Sequence, residues 1–300
     1  MRASKNAIAL LITIMFVMVI TVAIGFGLKQ VNSASKILKE EKFMYQSTLI
    51  VEDVFTILKK SPDIKKIADS NSSDDLYMFL SQVSFIPFTL KNMEVTLKIS
   101  SARTKFDPSY IEENATIKTK LGEYLNRYGV NSQYVEILAD CGGGIKDDNS
   151  YNSRIFDEHP YLFRDYIASS KHLKKINNFY TQEYNDNALS KVDFNNLFYF
   201  GSERNTTIDL NYATSAVWEM MLGVSKERAQ VLHLGGGAYS SVEDLGLSDD
   251  ESRALEVFKV SYFEPIVLVE VEILEGEENS KISFEYNIET EEGSNFVYEI

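Results

Sequence analysis

The chain reads as an α+β fold: an N-terminal transmembrane helix continues into a long helix packed on a small antiparallel sheet, with a large, mainly α-helical insertion. Three observations predict this. Residues Ala7 to Leu28 are a 22-residue uncharged run. Apolar and polar residues alternate near residue 95 and again after residue 262, the period of half-buried strands. The long stretch between these strand regions, Ser101 to Lys259, reads mainly as helix and loop.

The apolar run comes first. At ~1.5 Å rise per residue it reaches about 33 Å, enough to cross a hydrocarbon core of about 30 Å. A secretory signal peptide is the competing reading. The run exceeds the usual ~7–15-residue apolar region of a signal peptide, and Leu28 passes directly into Lys29 without a clean small-residue cleavage site. An uncleaved single-pass span is therefore expected, with stub 1–6, carrying Arg2 and Lys5, in the cytoplasm and the body outside it.

Composition bounds the body. With 44% hydrophobic and 12% aromatic residues it can bury a core. A formal charge of −14 argues against nucleic acid, because backbone binding needs clustered Lys and Arg. Cys141 is the one cysteine, which removes intrachain disulfides, CxxC redox pairs and cysteine-rich zinc sites.

Beyond the span the helical pattern continues. Ile37, Met44, Val51 and Leu58 repeat every seven residues with Val54 on the same face, and no Pro or Gly interrupts Lys29 to Lys60. One helix from about residue 6 to 60 is expected, ended by Ser61-Pro62; a bend near Gly25 and Gly27 is the alternative. A short helix from Asp74 to Val83 follows, then a strand in which Met93, Val95, Leu97 and Ile99 alternate with polar residues. At the C-terminus Ile266, Leu268, Val271 and Ile273, a turn at Glu275–Asn279, and Ile282, Phe284, Tyr286 and Ile288 read as a β-meander. Eleven Glu and one Lys, Lys281, lie between Tyr262 and Ile300, so one sheet face is expected to be solvated and acidic.

Within the insertion, Thr116–Tyr128, Ser132–Ala139, Pro160–Tyr166 and Ala213–Met221 have helical faces. A further helix, Lys226–Leu234, ends in Gly235-Gly236-Gly237, and another is capped by Ser248 with acidic residues in its first turn. Short helices joined at glycines give residues 208–258 a helix-hairpin-helix character. The glycine run follows a helix and lacks a succeeding Lys-Ser/Thr, which favours a helix cap over a phosphate cradle. His159, His172 and His233 are isolated, and no nucleophile elbow or other catalytic constellation is present, so no catalytic residue and no enzymatic activity are expected. Trp218 and the aromatics Phe194 to Phe200 read as core or interface.

The strand end Ser101-Ala102-Arg103-Thr104-Lys105-Phe106-Asp107, the stretch Ile208-Asp209-Leu210-Asn211-Tyr212-Ala213, then Leu222-Gly223-Val224-Ser225, Ala229, Tyr239-Ser240-Ser241-Val242-Glu243-Asp244-Leu245 and Tyr262-Phe263 resemble the K-type minor pseudopilin of type II secretion systems. That family carries a similar INLNTA segment, a helix-turn-helix and an F-x-S-x-x-E-L phrase before its closing strands. The order of parts agrees along nearly the whole chain.

The resemblance implies a pilin-like body: helix and first strand over 29–105, insertion over 106–259, closing strands over 260–300. It implies a single-pass protein of the cell inner membrane with a periplasmic body. There it would initiate or cap the tip of the pseudopilus, with other minor pseudopilins and the major pseudopilin as partners. The junction matching the family's prepilin peptidase cut falls between Ala7 and Ile8, with Ala7 where the family has Gly. Position five of the mature helix would be Ile12; the K type likewise lacks the usual Glu there, and a carboxylate in lipid is costly unless paired. The family also binds calcium in a loop at about the place of Asp140, Asp147, Asp148 and Asn149 around Gly142–Gly144, and hard cations take several oxygen ligands on flexible turns. An acidic, glycine-rich surface loop is the plain alternative.

Other functions stay open at this stage: a type IV pilus minor pilin, a sensor or ligand-binding ectodomain, or a helix-hairpin-helix DNA receptor. The receptor would need a basic hairpin, whereas only Lys226, Arg228 and His233 lie near the glycines.

Overall fold

A computed structural model describes residues 29, 38–147, 150–203, 205–276 and 278–299. The stub 1–6, the expected span Ala7–Leu28 and the Ala7–Ile8 junction lie outside the described residues. Among the described residues no helix is long and apolar enough to cross a membrane.

Helix α1 (38–60) leads into α2 (Pro62–Ser70) and α3 (Ser73–Val83). Ser61 breaks the first helix and caps the second through its hydroxyl, with Pro62 at the first helical position, where a missing N–H costs nothing. The buried face of α1 is Phe43, Ile50, Val51, Val54 and Leu58. Met44, expected on that face, is 48% exposed. A straight helix drifts about 20° per heptad, so a strict seven-residue series counted back from Leu58 leaves the core face, and Phe43 takes the place.

A five-stranded antiparallel sheet packs on these helices in the order β1-β2-β5-β6-β7. Its strands are β1 (Ile86–Leu90), β2 (Met93–Ser101), β5 (Ile266–Glu275), β6 (Glu278–Asn287) and β7 (Glu292–Glu299). The alternation in β2 is as expected, with Met93, Val95, Leu97 and Ile99 buried. In β5 the buried face is Val267, Val269, Val271 and Ile273. Ile266 and Leu268 belong to the other face, because the strand is apolar at consecutive positions and periodicity alone cannot choose the register. The outer face is acidic but laced: Lys98 meets Glu272 at 3.1 Å and Lys281 meets Glu270 at 2.5 Å. β1 and β7 carry no clean alternation and surface only as edges of the sheet.

Ser101 of β2 stands opposite Val267 of β5. The chain therefore leaves the sheet and returns to it on adjacent strands, so the sheet closes as if the intervening segment were absent, the geometry that tolerates an insertion. That segment forms its own core around Trp218, Tyr134, Tyr180 and Phe198, while α1–α3 and the sheet form another. It contains α4 (Ala115–Arg127), α5 (Gln133–Gly142), α6 (Ile155–Glu158), α7 (Ser170–Tyr184), α8 (Phe194–Leu197), α9 (Ser215–Leu222), α10 (Lys226–Leu234) and α11 (Asp249–Leu255). Strands β3 (Ile208–Asp209) and β4 (Val260–Ser261) pair in parallel beside them.

One expectation needs correction here. Pro160–Tyr166 forms turns, not a helix: the Arg164 guanidinium donates to Pro160 O and holds the chain folded back. The long helix is α7, whose Ser169 cap and buried Leu173, Ile176, Phe179 and Tyr180 are obscured in sequence by interleaved Lys and Asn. The glycine cap reading of α10 and the Ser248 capping box are both present.

Candidate functional site

The seam between the two cores is built from the chain crossings. Arg103, just past β2, is 3% exposed and its guanidinium reaches two carboxylates. It donates to Glu285 of β6 at 2.8 Å and to Glu203 of the insertion at 2.6 Å. The Tyr199 ring lies 5.3 Å from the guanidinium, and Asn295 of β7 donates to the Tyr199 hydroxyl at 2.8 Å. Glu285 is itself 3% exposed. A buried carboxylate is tolerated when a planar fork of N–H donors neutralises it. Arg103 thereby fastens the sheet to the insertion.

A second fastening lies at Asp209 and Asn211. Asn211 uses its whole amide: Nδ2 donates to Tyr239 O and Tyr262 O, and Oδ1 accepts from Gly237 N and Tyr239 N, all at 2.7–2.9 Å. This ties the glycine loop after α10 to the chain leaving β4. Gly236 is packed against the Asn211 carbonyl so closely that a Cβ would collide with backbone, and Gly237, at φ +90°, touches the Tyr77 ring of α3. Asp209 is fully buried; its Oδ1 accepts from Asn211 N and its Oδ2 from Glu264 N, and its own N–H donates to Arg103 O at 2.8 Å. Entry, exit and β3 are thus laced together.

Burial pushes the Asp209 carboxyl up to about 7, against the pull of its two backbone N–H donors. The unfolded value is near 3.9. Between the two values the folded state holds more protons, so stability falls as pH rises. The contribution is full below about pH 4 and lost by about pH 7, a swing of about 4 kcal/mol. Asp209→Asn should flatten the slope of denaturant midpoint between pH 5 and 8, while losing about 1–2 kcal/mol at pH 5 because its NH₂ cannot accept from Glu264 N–H. Parallel slopes for the two proteins would contradict this.

Outward-facing apolar groups mark candidate docking surfaces. On α1, Leu38, Tyr45 and Leu49 lie at i, i+7 and i+11, one line opposite the core face. All three are exposed, Tyr45 to 66%. The sheet edges add Phe88 and Leu90 on β1 and Phe296, Val297 and Tyr298 on β7.

The hairpin between α9 and α10 is closed from within. Gly223 caps α9 at φ +69°, and the Arg127 guanidinium donates to Gly223 O and Val224 O. Lys226 sits 4.7 Å over the Tyr128 ring, and Arg228 bonds Glu251 and Gly246 O. Of the hairpin cations named from sequence, Arg228 is half-buried in these contacts, while Lys226 and His233 are exposed.

Of the candidate calcium ligands, Asp140 and Asp147 lie among the described residues. Asp140 is fully buried and both oxygens are taken: Oδ1 accepts from Asn152 N and Nδ2, Oδ2 from Ser153 N and Oγ. Lys146 Nζ stands 3.9 Å away. Asp147 is exposed, and Asp148 and Asn149 lie outside the described residues. Among the described residues no group of three His, Cys, Asp or Glu side chains could hold a metal ion. Asp140 thus anchors the loop through Asn152 and Ser153. Cys141 is buried and burial pushes its thiol up, the environment of an inert cysteine. His233 contacts Ala213 O at 2.9 Å and His172 is packed under Phe163, both packing roles.

Arg103 and Asn211 lay within the phrases used for the resemblance but were not singled out by role. A polar residue enclosed by apolar neighbours, as Asn211 is between Leu210 and Tyr212, is the signal that could have found Asn211; Arg103, between Ala102 and Thr104, carries none. Glu285 carries no such signal among so many glutamates.

No family model and no curated protein matches the sequence. The fold is similar to that of GspK in the crystal structure of the GspK-GspI-GspJ complex from the enterotoxigenic Escherichia coli type 2 secretion system. The TM-score is 0.51, covering 82% of this chain and 92% of that chain at 12% sequence identity. The likeness is one of fold.

Proposed function

We propose that this chain is the K-type minor pseudopilin of a type II secretion system, a non-enzymatic component that initiates or caps the pseudopilus. The observation that carries the proposal is a helical insertion leaving and re-entering the sheet on β2 and β5, within a fold that follows GspK over most of both chains. Residues 7–28 would anchor it in the inner membrane with the body in the periplasm, and prepilin peptidase would act at Ala7–Ile8. Its partners would be the other minor pseudopilins and, below them, the major pseudopilin. The exposed line Leu38, Tyr45 and Leu49 supplies the surface for a neighbouring helix, since packed helices bury such stripes. The sparse hairpin cations, with Lys226 over Tyr128 and Arg228 bonded to Glu251 and Gly246 O, support assembly over DNA binding.

Co-expression with the other minor pseudopilins of the same genome should give a stoichiometric complex by light scattering. The double variant Tyr45→Glu/Leu49→Glu should weaken it by at least about tenfold, as removal of buried apolar anchors does, with the melting temperature kept because both residues are exposed. A wild-type chain that stays alone with all of these partners would sink the proposal.

A further inference from the structure

The insertion carries a groove of about 510 Å³ that the assembly reading leaves unused. One wall is α7, presenting Lys175, Asn178 and Gln182 at i, i+3 and i+7, one face of a helix. The other wall is the turn from Glu158 to Leu162. Pro160, Leu162 and the buried Phe179 give the groove an apolar component. Tyr161 stands at its lip with 100% of its surface exposed.

A solvent-facing ring of this kind would ordinarily fold down onto the protein, since covering apolar surface is favourable. Here the turn holds it out. Leu162 N donates to His159 O at 2.9 Å, and Arg164 Nη2 donates to Pro160 O at 2.7 Å. The Arg164 guanidinium is fixed in turn, 4.0 Å from the Phe156 ring centroid and bonded to the Tyr151 hydroxyl. The His159 ring stands edge-on to Phe179, with centroids 6.2 Å apart. The backbone of the lip is therefore fixed, and a preorganised backbone loses less entropy when the site binds.

We propose that this groove binds the chain of a neutral oligosaccharide, one sugar ring stacked on Tyr161 and its hydroxyls bonded by Asn178, Gln182, His159 and Lys175. The chemistry favours a sugar over a purely apolar ligand. A pyranose has one face of C–H bonds, which suits an aromatic ring, and an equator of hydroxyls that both donate and accept. Amide side chains offer donor and acceptor on one plane, matching adjacent hydroxyls. Mixed walls with a few convergent polar groups are the usual make-up of small-molecule sites, and this volume lies within their ~300–1,000 Å³ range. The site is lined by insertion residues and by none of α1, so it is independent of the assembly reading.

The test uses the full chain solubilised in a detergent without a sugar headgroup, with saturation-transfer NMR against cellotetraose, chitotetraose and maltotetraose at millimolar concentration. Transfer to the ring protons of at least one probe is expected. Tyr161→Ala should weaken that binding by about tenfold, the loss of one stacked anchor. Its melting temperature should be that of the wild type, because the side chain buries nothing in the free protein. Gln182→Ala should weaken binding less. Absence of transfer for all three sugars, or transfer unchanged in Tyr161→Ala, would overturn the proposal.

Discussion

Replacing Arg103 by alanine is expected to cost about 3–5 kcal/mol of unfolding free energy, because it strands the Glu285 carboxylate at 3% exposure without its partner. That is a large share of the ~5–15 kcal/mol stability of an ordinary folded protein. Arg103→Lys should recover only part, since an ammonium cannot hold Glu285 and Glu203 in one plane while lying against the Tyr199 ring. The double variant Arg103→Met/Glu285→Leu should be markedly more stable than Arg103→Ala, because it removes both buried charges. Urea denaturation of the three variants measures this directly. If Arg103→Ala lost less than about 1 kcal/mol, the ion pair would not be holding the seam.

Asn211→Ala is expected to lose about 3 kcal/mol or more. It removes four hydrogen bonds at once and leaves two carbonyls and two N–H groups near the glycine loop without partners, each costing about 1–3 kcal/mol unless water enters. Asn211→Asp should be nearly as severe, since a carboxylate cannot donate to Tyr239 O and Tyr262 O. Hydrogen exchange should show the loss first at Gly237 and Tyr239, whose N–H groups the Asn211 oxygen accepts. Unchanged protection there would remove Asn211 as the clasp.

Much of the sheet and helix inventory was legible in the residues. The β2 alternation, the α10 boundaries with their glycine cap, and the Ser248 cap are local: each is set by side chains within a few residues of the backbone they organise. Failures occurred where local signals were even or misleading. β5 is apolar on both faces near its start, so its register came from pairing with β2 and β6 and from helix packing, which bury Val267 and Val269 rather than Ile266 and Leu268. Tyr161, Leu162 and Phe163 looked helical, yet Arg164 folds their backbone into a turn. α7 was hidden because its buried residues alternate with Lys and Asn that find solvent.

The candidate site divides in the same way. The sequence alone determined that a helical segment interrupts a sheet, that Arg103 and Asn211 lie in distinctive phrases, and that the body is acidic, because composition and short-range patterning carry those facts. Only the tertiary structure decided what the residues do. It set Arg103 against Glu285, 182 residues away in sequence, buried Asp140 among the donors of Asn152 and Ser153, and turned Tyr161 outward. Charge pairing, burial and exposure depend on which distant segments meet, and chain spacing does not encode those meetings until the two cores have closed on each other.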